Sequence, residues 1–162
     1  MSTKPTINSK IRLATHNDVP SIINIMREVY IEHGLVFEVS QEIPDILDFE
    51  QKYNQKSAAF FVLLVQEEII GTVGVKIIKS SEAEIVRLYL KRDFRGLGLG
   101  YQLLKTAVDW AQLQGKTHIE LWSFTQFTQG HRLYNKFGFT QLDTRQMNDV
   151  NQTQMYGFAF SI

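Results

Sequence analysis

The run Arg95-Gly96-Leu97-Gly98-Leu99-Gly100 sets glycine at every second position, directly after the apolar segment Glu84-Ile85-Val86-Arg87-Leu88-Tyr89-Leu90 and directly before a helical pattern. It reads as strand, sharp turn, helix. Alternate glycines leave backbone N–H groups uncovered by side chains, and the following helix adds unpaired N-terminal donors and the positive end of its dipole. A junction of this kind seats an anion; the alternative is a tight turn that uses glycine only for steric relief. Arg87, Lys91, Arg92 and Arg95 crowd the same turn in the sequence, so the expected ligand carries phosphates.

Two familiar phosphate loops do not fit. A dinucleotide fingerprint needs G-x-G-x-x-G early in a βαβ unit with an acidic residue further on, and a P-loop needs Gly-Lys-Ser/Thr. The spacing here is G-x-G-x-G, placed after half the chain. The pattern R-x-x-G-x-G from Arg95 to Gly100 resembles the acetyl-CoA-binding signature of the GNAT superfamily of N-acetyltransferases. Leu133-Tyr134-Asn135-Lys136-Phe137-Gly138-Phe139 resembles that superfamily's late L-Y-x-K-x-G-F segment. The two motifs stand in the family's order, and the likeness extends more loosely from Ile11 to the last strand.

With 162 residues the chain suits one domain, expected over residues 1–162 with 1–9 as a flexible extension. Charge balances at formal net +0, so no overall field points to nucleic acid or an acidic membrane. Absence of cysteine removes disulfides, thiolate metal sites and cysteine nucleophiles. His16, His33, His118 and His131 show no ligand spacing, so no metal is assigned. Met1 to Thr6 is short and polar, and no apolar run approaches a membrane span, which points to a cytoplasmic protein.

Along the chain, Ile11 to Ala14 alternates as a first strand, and His16-Asn17-Asp18 offers a cap ahead of Pro20. Val19, Ile22, Ile23, Met26, Val29 and Tyr30 recur at helical spacing. Gly34 and Pro44 break the next stretch, with a second helix expected from Asp45 to Tyr53. Between Ile31 and Glu50 stand six acids and no lysine or arginine: a solvated face, or a negative rim that attracts a cationic amine. The continuous run Phe60 to Val65 predicts a strand covered on both faces; Ile69 to Lys79 returns as a hairpin partner, and Ala83 to Leu90 follows. Beyond the glycine loop come a helix through Ala111, a strand from Thr117 to Ser123, a helix from Gln129 to Phe137 and two strands, Thr140 to Met147 and Thr153 to Phe160. Strand, helix and strand in succession predict a right-handed crossover with parallel strands, and ligands of such units bind beyond the carboxyl ends of those strands.

The resemblance assigns roles. It implies that backbone amides of Arg95, Gly96, Leu97, Gly98, Leu99 and Gly100 hold the diphosphate of acetyl-CoA, with Lys136 and Tyr134 also at the cofactor. It implies that Leu88, Tyr89 and Leu90 form a strand edge, exposed where the sheet splays, on which the amide-rich pantetheine lies as an added strand would. Direct transfer needs a neutral amine, an oxyanion donor and a proton for the departing thiolate. Alkyl ammonium groups titrate near about 10 and thiols near about 8.5, so one proton must leave and another must be supplied. Tyr134 occupies the family's position for the acid, and the N–H of Leu90 or a neighbour is the expected oxyanion donor. The base stays open among Glu84, Glu120, His118, His131 and water. Where many members carry proline after the strand this chain has Arg92, and where many carry asparagine ahead of the tyrosine it has Phe127.

The expected architecture is α/β: a mixed, mostly antiparallel sheet of six or seven strands, helices on both faces, and a central splay for CoA. The expected function is acetyl transfer from acetyl-CoA to a primary amine of a small cationic molecule or peptide. The alternative is a CoA-binding sensor or interaction domain without turnover. A homodimer through the last strand is a further expectation.

Overall fold

The computed structural model describes residues 7–162; the first part of the expected flexible extension lies outside the described residues. Ser9, the last residue of that expected extension, opens strand β1 (Ser9–Leu13) opposite Val65. Helix α1 (Val19–Glu32) follows a short 3₁₀ turn at His16–Asp18. Asp18 receives the backbone N–H of Thr15 at 2.8 Å and the Arg12 guanidinium at 2.7 Å, which fixes how the strand enters the helix. Ile22, Ile25, Met26, Val29 and Tyr30 form the buried stripe of α1.

The sequence predicts one helix from Asp45 to Tyr53. Two single turns stand there instead, α3 (Pro44–Leu47) and α4 (Phe49–Lys52), and a further turn, α2 (Val39–Glu42), precedes them. The backbone leaves helical geometry at Ile43 and Asp48, where ψ is near +45°. Pro44 cannot donate to the turn before it, so α2 and α3 cannot fuse. In compensation the chain drops Ile43, Ile46, Phe49 and Tyr53 onto the sheet, all nearly fully buried.

Strands β2 (Ala58–Val65), β3 (Glu68–Lys79) and β4 (Glu82–Leu90) form an antiparallel meander. Helix α5 (Leu99–Leu113) crosses to β5 (His118–Phe124), which pairs parallel to β4. Helix α6 (Thr128–Phe137) leads to β6 (Thr140–Gln146) and β7 (Gln154–Ser161). The seven strands run β1-β2-β3-β4-β5-β7-β6, antiparallel except at β4–β5. No helix among the described residues is long and apolar enough to cross a membrane.

Helices cover both faces of the sheet, and β2 shows why its sequence is apolar throughout. Ala59 and Leu63 face the core under α5, while Phe60, Val62 and Leu64 face the core under α1 and α2–α4. Strand β4 carries the break that matters. Thr72 pairs with Tyr89 but Gly74 pairs with Val86, so two residues of β4 oppose one of β3, and Arg87 sits at φ +55°. This is a β-bulge, and Thr72 pins it by donating from Oγ1 to the Arg87 carbonyl at 2.8 Å. Ahead of the bulge Ala83 and Ile85 face α5; beyond it Leu88 and Leu90 do, while Val86 and Tyr89 face α1. The β4–β5 ladder ends at Ile85–Leu121, directly before the bulge, so the expected central splay is present.

Candidate active site at the splayed strands

On one side of the splay lies the glycine loop. Gly96 and Gly98 have φ of +78° and +81°, in the left-handed region, and nothing lies within 4 Å of where a Cβ would project from either. Gly98 is the N-cap of the 15-residue α5 and supplies no side-chain cap, so the first-turn amides stay uncovered. The cations of the turn disperse. Arg95 folds back, with guanidinium nitrogens 2.7 and 2.8 Å from the Glu32 carboxylate and 2.9 and 3.1 Å from the Leu90 carbonyl. Lys91 bridges to Glu68 at 2.9 Å. Arg87 does not belong to this turn at all, because the bulge directs it to the opposite side of the splay. Arg92 stays exposed, 3.9 Å from Glu32, so the seat is built chiefly of amides, which fit a diphosphate, with one exposed cation in the same turn.

The strand edge also fits an extended, amide-bearing ligand. Lys91 donates its N–H to the Ile70 carbonyl at 2.9 Å, so by strand alternation the N–H and C=O of Leu90 point away from β3 and into the splay. Arg95 occupies that carbonyl, and the Leu90 N–H faces the gap that β5 has vacated.

A cavity of about 820 Å³ opens on the other side, bordered by Tyr30, Glu42, Asp45, Arg87, Tyr89 and Tyr134 among others. Arg87 reaches Asp45 at 2.7 Å and the Glu42 carbonyl at 2.8 Å, and the Tyr53 hydroxyl donates to the same carboxylate at 2.5 Å. Burial alone would raise the Asp45 carboxyl, but the Arg87 hydrogen bond and charge bring it below the usual carboxylate range. Glu42 is different. Burial pushes its carboxyl up, the Tyr30 hydroxyl donates to it at 3.1 Å, and among the described residues no cation forms an ion pair with it, although the charge of Arg87 acts on it from nearby. Of the six acids between Ile31 and Glu50, Glu32 is taken by Arg95 and Asp45 by Arg87, while Glu38, Asp48 and Glu50 are exposed. The rim expected from the sequence reduces to Glu42, with Asp149 near it on the loop between β6 and β7. That loop is tied across the mouth: the Asn151 side chain accepts from the Val36 N–H and donates to its carbonyl, both at 2.8 Å.

Tyr134 is 6 % exposed, lies against Phe158 at 5.1 Å, and borders the cavity. Burial raises its phenol well above the usual value, which keeps the hydroxyl protonated. Gly130 makes room for it, since a Cβ there would stand 3.2 Å from the hydroxyl. Gly130→Ala is expected to displace the ring and lower kcat about tenfold with acetyl-CoA affinity unchanged, which steady-state kinetics beside titration calorimetry would check.

The base candidates separate. Glu84 borders the cavity and pairs with Lys76 at 3.8 Å. His118 and Glu120 pair with each other at 3.2 Å, and neither borders the cavity. His131 faces β5, where its Nε2 lies 3.1 Å from the Phe124 carbonyl. Lys136 is exposed at the end of α6. Phe127 packs against His33 and Phe124 at 4.7 and 5.2 Å between ring centres, so an apolar wall stands where the family pattern has an amide. Glu42 and Asp45 belong to the acidic stretch that the sequence offers as a rim, but the Arg87–Asp45–Tyr53 group was not visible there, because Arg87 reads with the phosphate turn and Tyr53 as the end of a helix.

The fold is that of acetyltransferases of known structure. An acetyltransferase of the GNAT family from Staphylococcus aureus superposes with a TM-score of 0.81 over 93% of this chain and 98% of that one, at 16% identity. The Salmonella typhimurium protein yncA, solved with its cofactor acetyl-CoA, superposes with a TM-score of 0.76 over 95% and 94% of the two chains, at 18% identity. In sequence, the uncharacterised N-acetyltransferase YjgM of Escherichia coli is 28% identical over 138 residues, 82% of this chain and 83% of that protein. Residues 20–139 match the Acetyltransferase (GNAT) family, and the chain belongs to it.

Proposed function

We propose that this protein transfers an acetyl group from acetyl-CoA to the primary amine of a small cationic molecule or peptide by direct attack. The observation that carries the reading is the splay itself, with an open amide seat on one side, a polar cavity on the other, and the Tyr134 hydroxyl bordering the cavity. Acetyl-CoA supplies an activated acyl group and a thiolate leaving group. The amides of Arg95 to Gly100 hold the diphosphate, the Leu88–Leu90 edge aligns the pantetheine, and Lys136 adds charge near it. The Leu90 N–H serves as oxyanion donor and Tyr134 as the acid.

In the cavity, Glu42 is the carboxylate left to face an ammonium group, because Arg87 already neutralises Asp45. Glu84, which pairs with Lys76 at 3.8 Å, is the candidate to take the amine's proton. A screen of amines and peptides that reports free CoA release tests the reading. Release with at least one cationic acceptor supports it; tight acetyl-CoA binding with no release from any acceptor would leave a sensor or interaction domain.

The cofactor side makes its own prediction. Gly98→Ala puts a methyl group into the open seat and holds alanine at φ +81°, a conformation that costs about 1–2 kcal/mol. Acetyl-CoA affinity is expected to fall roughly tenfold or more by titration calorimetry, with a small drop in melting temperature.

A further inference from the structure

We propose that Ser123 and His131 form a hydrogen-bond chain onto the Tyr134 hydroxyl, which steadies the phenolic oxygen as its proton is given up, making both positioning residues for the acid. The inference rests on Tyr134 serving as the acid.

The direction of the chain follows from one group that can only accept. His131 Nε2 lies 3.1 Å from the Phe124 carbonyl and 3.2 Å from Ser123 Oγ. A carbonyl has no proton to give, so in the neutral ring Nε2 carries the hydrogen and points it between these two oxygens. The ring is held at this spot by Tyr156 and Phe158, at 5.3 and 5.4 Å between centres, and its half-buried setting favours the neutral form. Ser123 Oγ thus accepts from His131, which leaves its own O–H free to donate. Ser123 is 6 % exposed and borders the same cavity as Tyr134, whose ring centre lies 6.4 Å from that of His131; burial raises the Tyr134 phenol, and Ser123 acts in the opposite direction.

The site has a need for such a donor. Tyr134 is packed among Phe158, Phe139 and the His131 ring, surroundings that disfavour a phenolate. A thiolate leaving group draws the proton only if the oxygen left behind finds a donor. Ser123, polarised by a fixed N–H behind it, supplies that donor without bringing water into the gap.

Ser123→Ala is expected to lower kcat about tenfold or more, the scale of a hydrogen bond to a charged oxygen, with KM for the amine unchanged. His131→Leu should act in the same direction. His131→Gln, whose side-chain amide can still donate toward Phe124 and Ser123, should restore part of the loss. A double-mutant cycle separates tuning from mere packing: in the Tyr134→Phe background Ser123→Ala should cost nothing further. Nitrogen chemical shifts of the His131 ring should report the Nε2–H tautomer in the unliganded protein. An equal Ser123→Ala loss in both backgrounds, or the opposite tautomer, would overturn the inference while leaving Tyr134 as the acid. Full activity in Tyr134→Phe alone would remove the acid itself and this inference with it.

Discussion

Tyr134→Phe is expected to lower kcat by about 100-fold or more while acetyl-CoA affinity stays within roughly twofold, the pattern of a lost proton donor rather than a lost contact. The substitution removes one oxygen and keeps the ring that Phe158 and Phe139 enclose, so the helix should fold as before. Stopped-flow release of CoA with an acceptor from the amine screen, beside calorimetry of acetyl-CoA binding, measures the two quantities separately. If both stay at their original values, the proton reaches the thiolate by another route. If affinity collapses together with rate, Tyr134 holds the cofactor and does no acid work.

The second large effect concerns stability. Asp45→Ala should lower the melting temperature by roughly 10 °C, since removing one member of a buried ion pair costs about 3–5 kcal/mol. Arg87 and Asp45 side chains are 20% and 18% exposed, so the guanidinium left behind would have little water to replace its partner. Replacing both, as Arg87→Met with Asp45→Leu, should recover much of the loss, and a melting curve of that double variant tests whether the desolvated charge is the cause. The pH dependence has a definite sign. The Asp45 carboxyl titrates below its unfolded value, so its contribution is complete above about pH 4 and is lost as pH falls through the folded value. Acid unfolding of Asp45→Ala should accordingly be less steep over that range than in the parent chain.

The proposed cofactor side of the site is local in the sequence. Glycines from Gly96 to Gly100, the strand before them and the helix after them are consecutive in the chain, and their requirements for backbone freedom and free amides show in residue type alone. Tyr134 is a candidate only through the motif around it. The walls of the cavity were not legible, because they come from residues distant in sequence and joined by side-chain bonds. Arg87 shows the limit most plainly. Its neighbours in sequence are the phosphate turn, and only the bulge with its positive φ, unmarked by any glycine, sends it to Asp45 instead. The helix expected from Asp45 to Tyr53 shows a related limit: Ile46, Phe49 and Tyr53 keep a helical rhythm, which the structure satisfies with two separate turns broken at Asp48.

The Asn151 clasp joins two parts of the mouth that the chain separates widely, through one amide group that spans both hydrogen-bonding positions of Val36. Lengthening either loop by a residue would carry its half of the clasp out of reach, so the two must be reshaped together for the opening to keep its outline. A lineage shifting to a new acceptor would therefore alter both segments in concert, while the contiguous glycine-bearing half stays as it was.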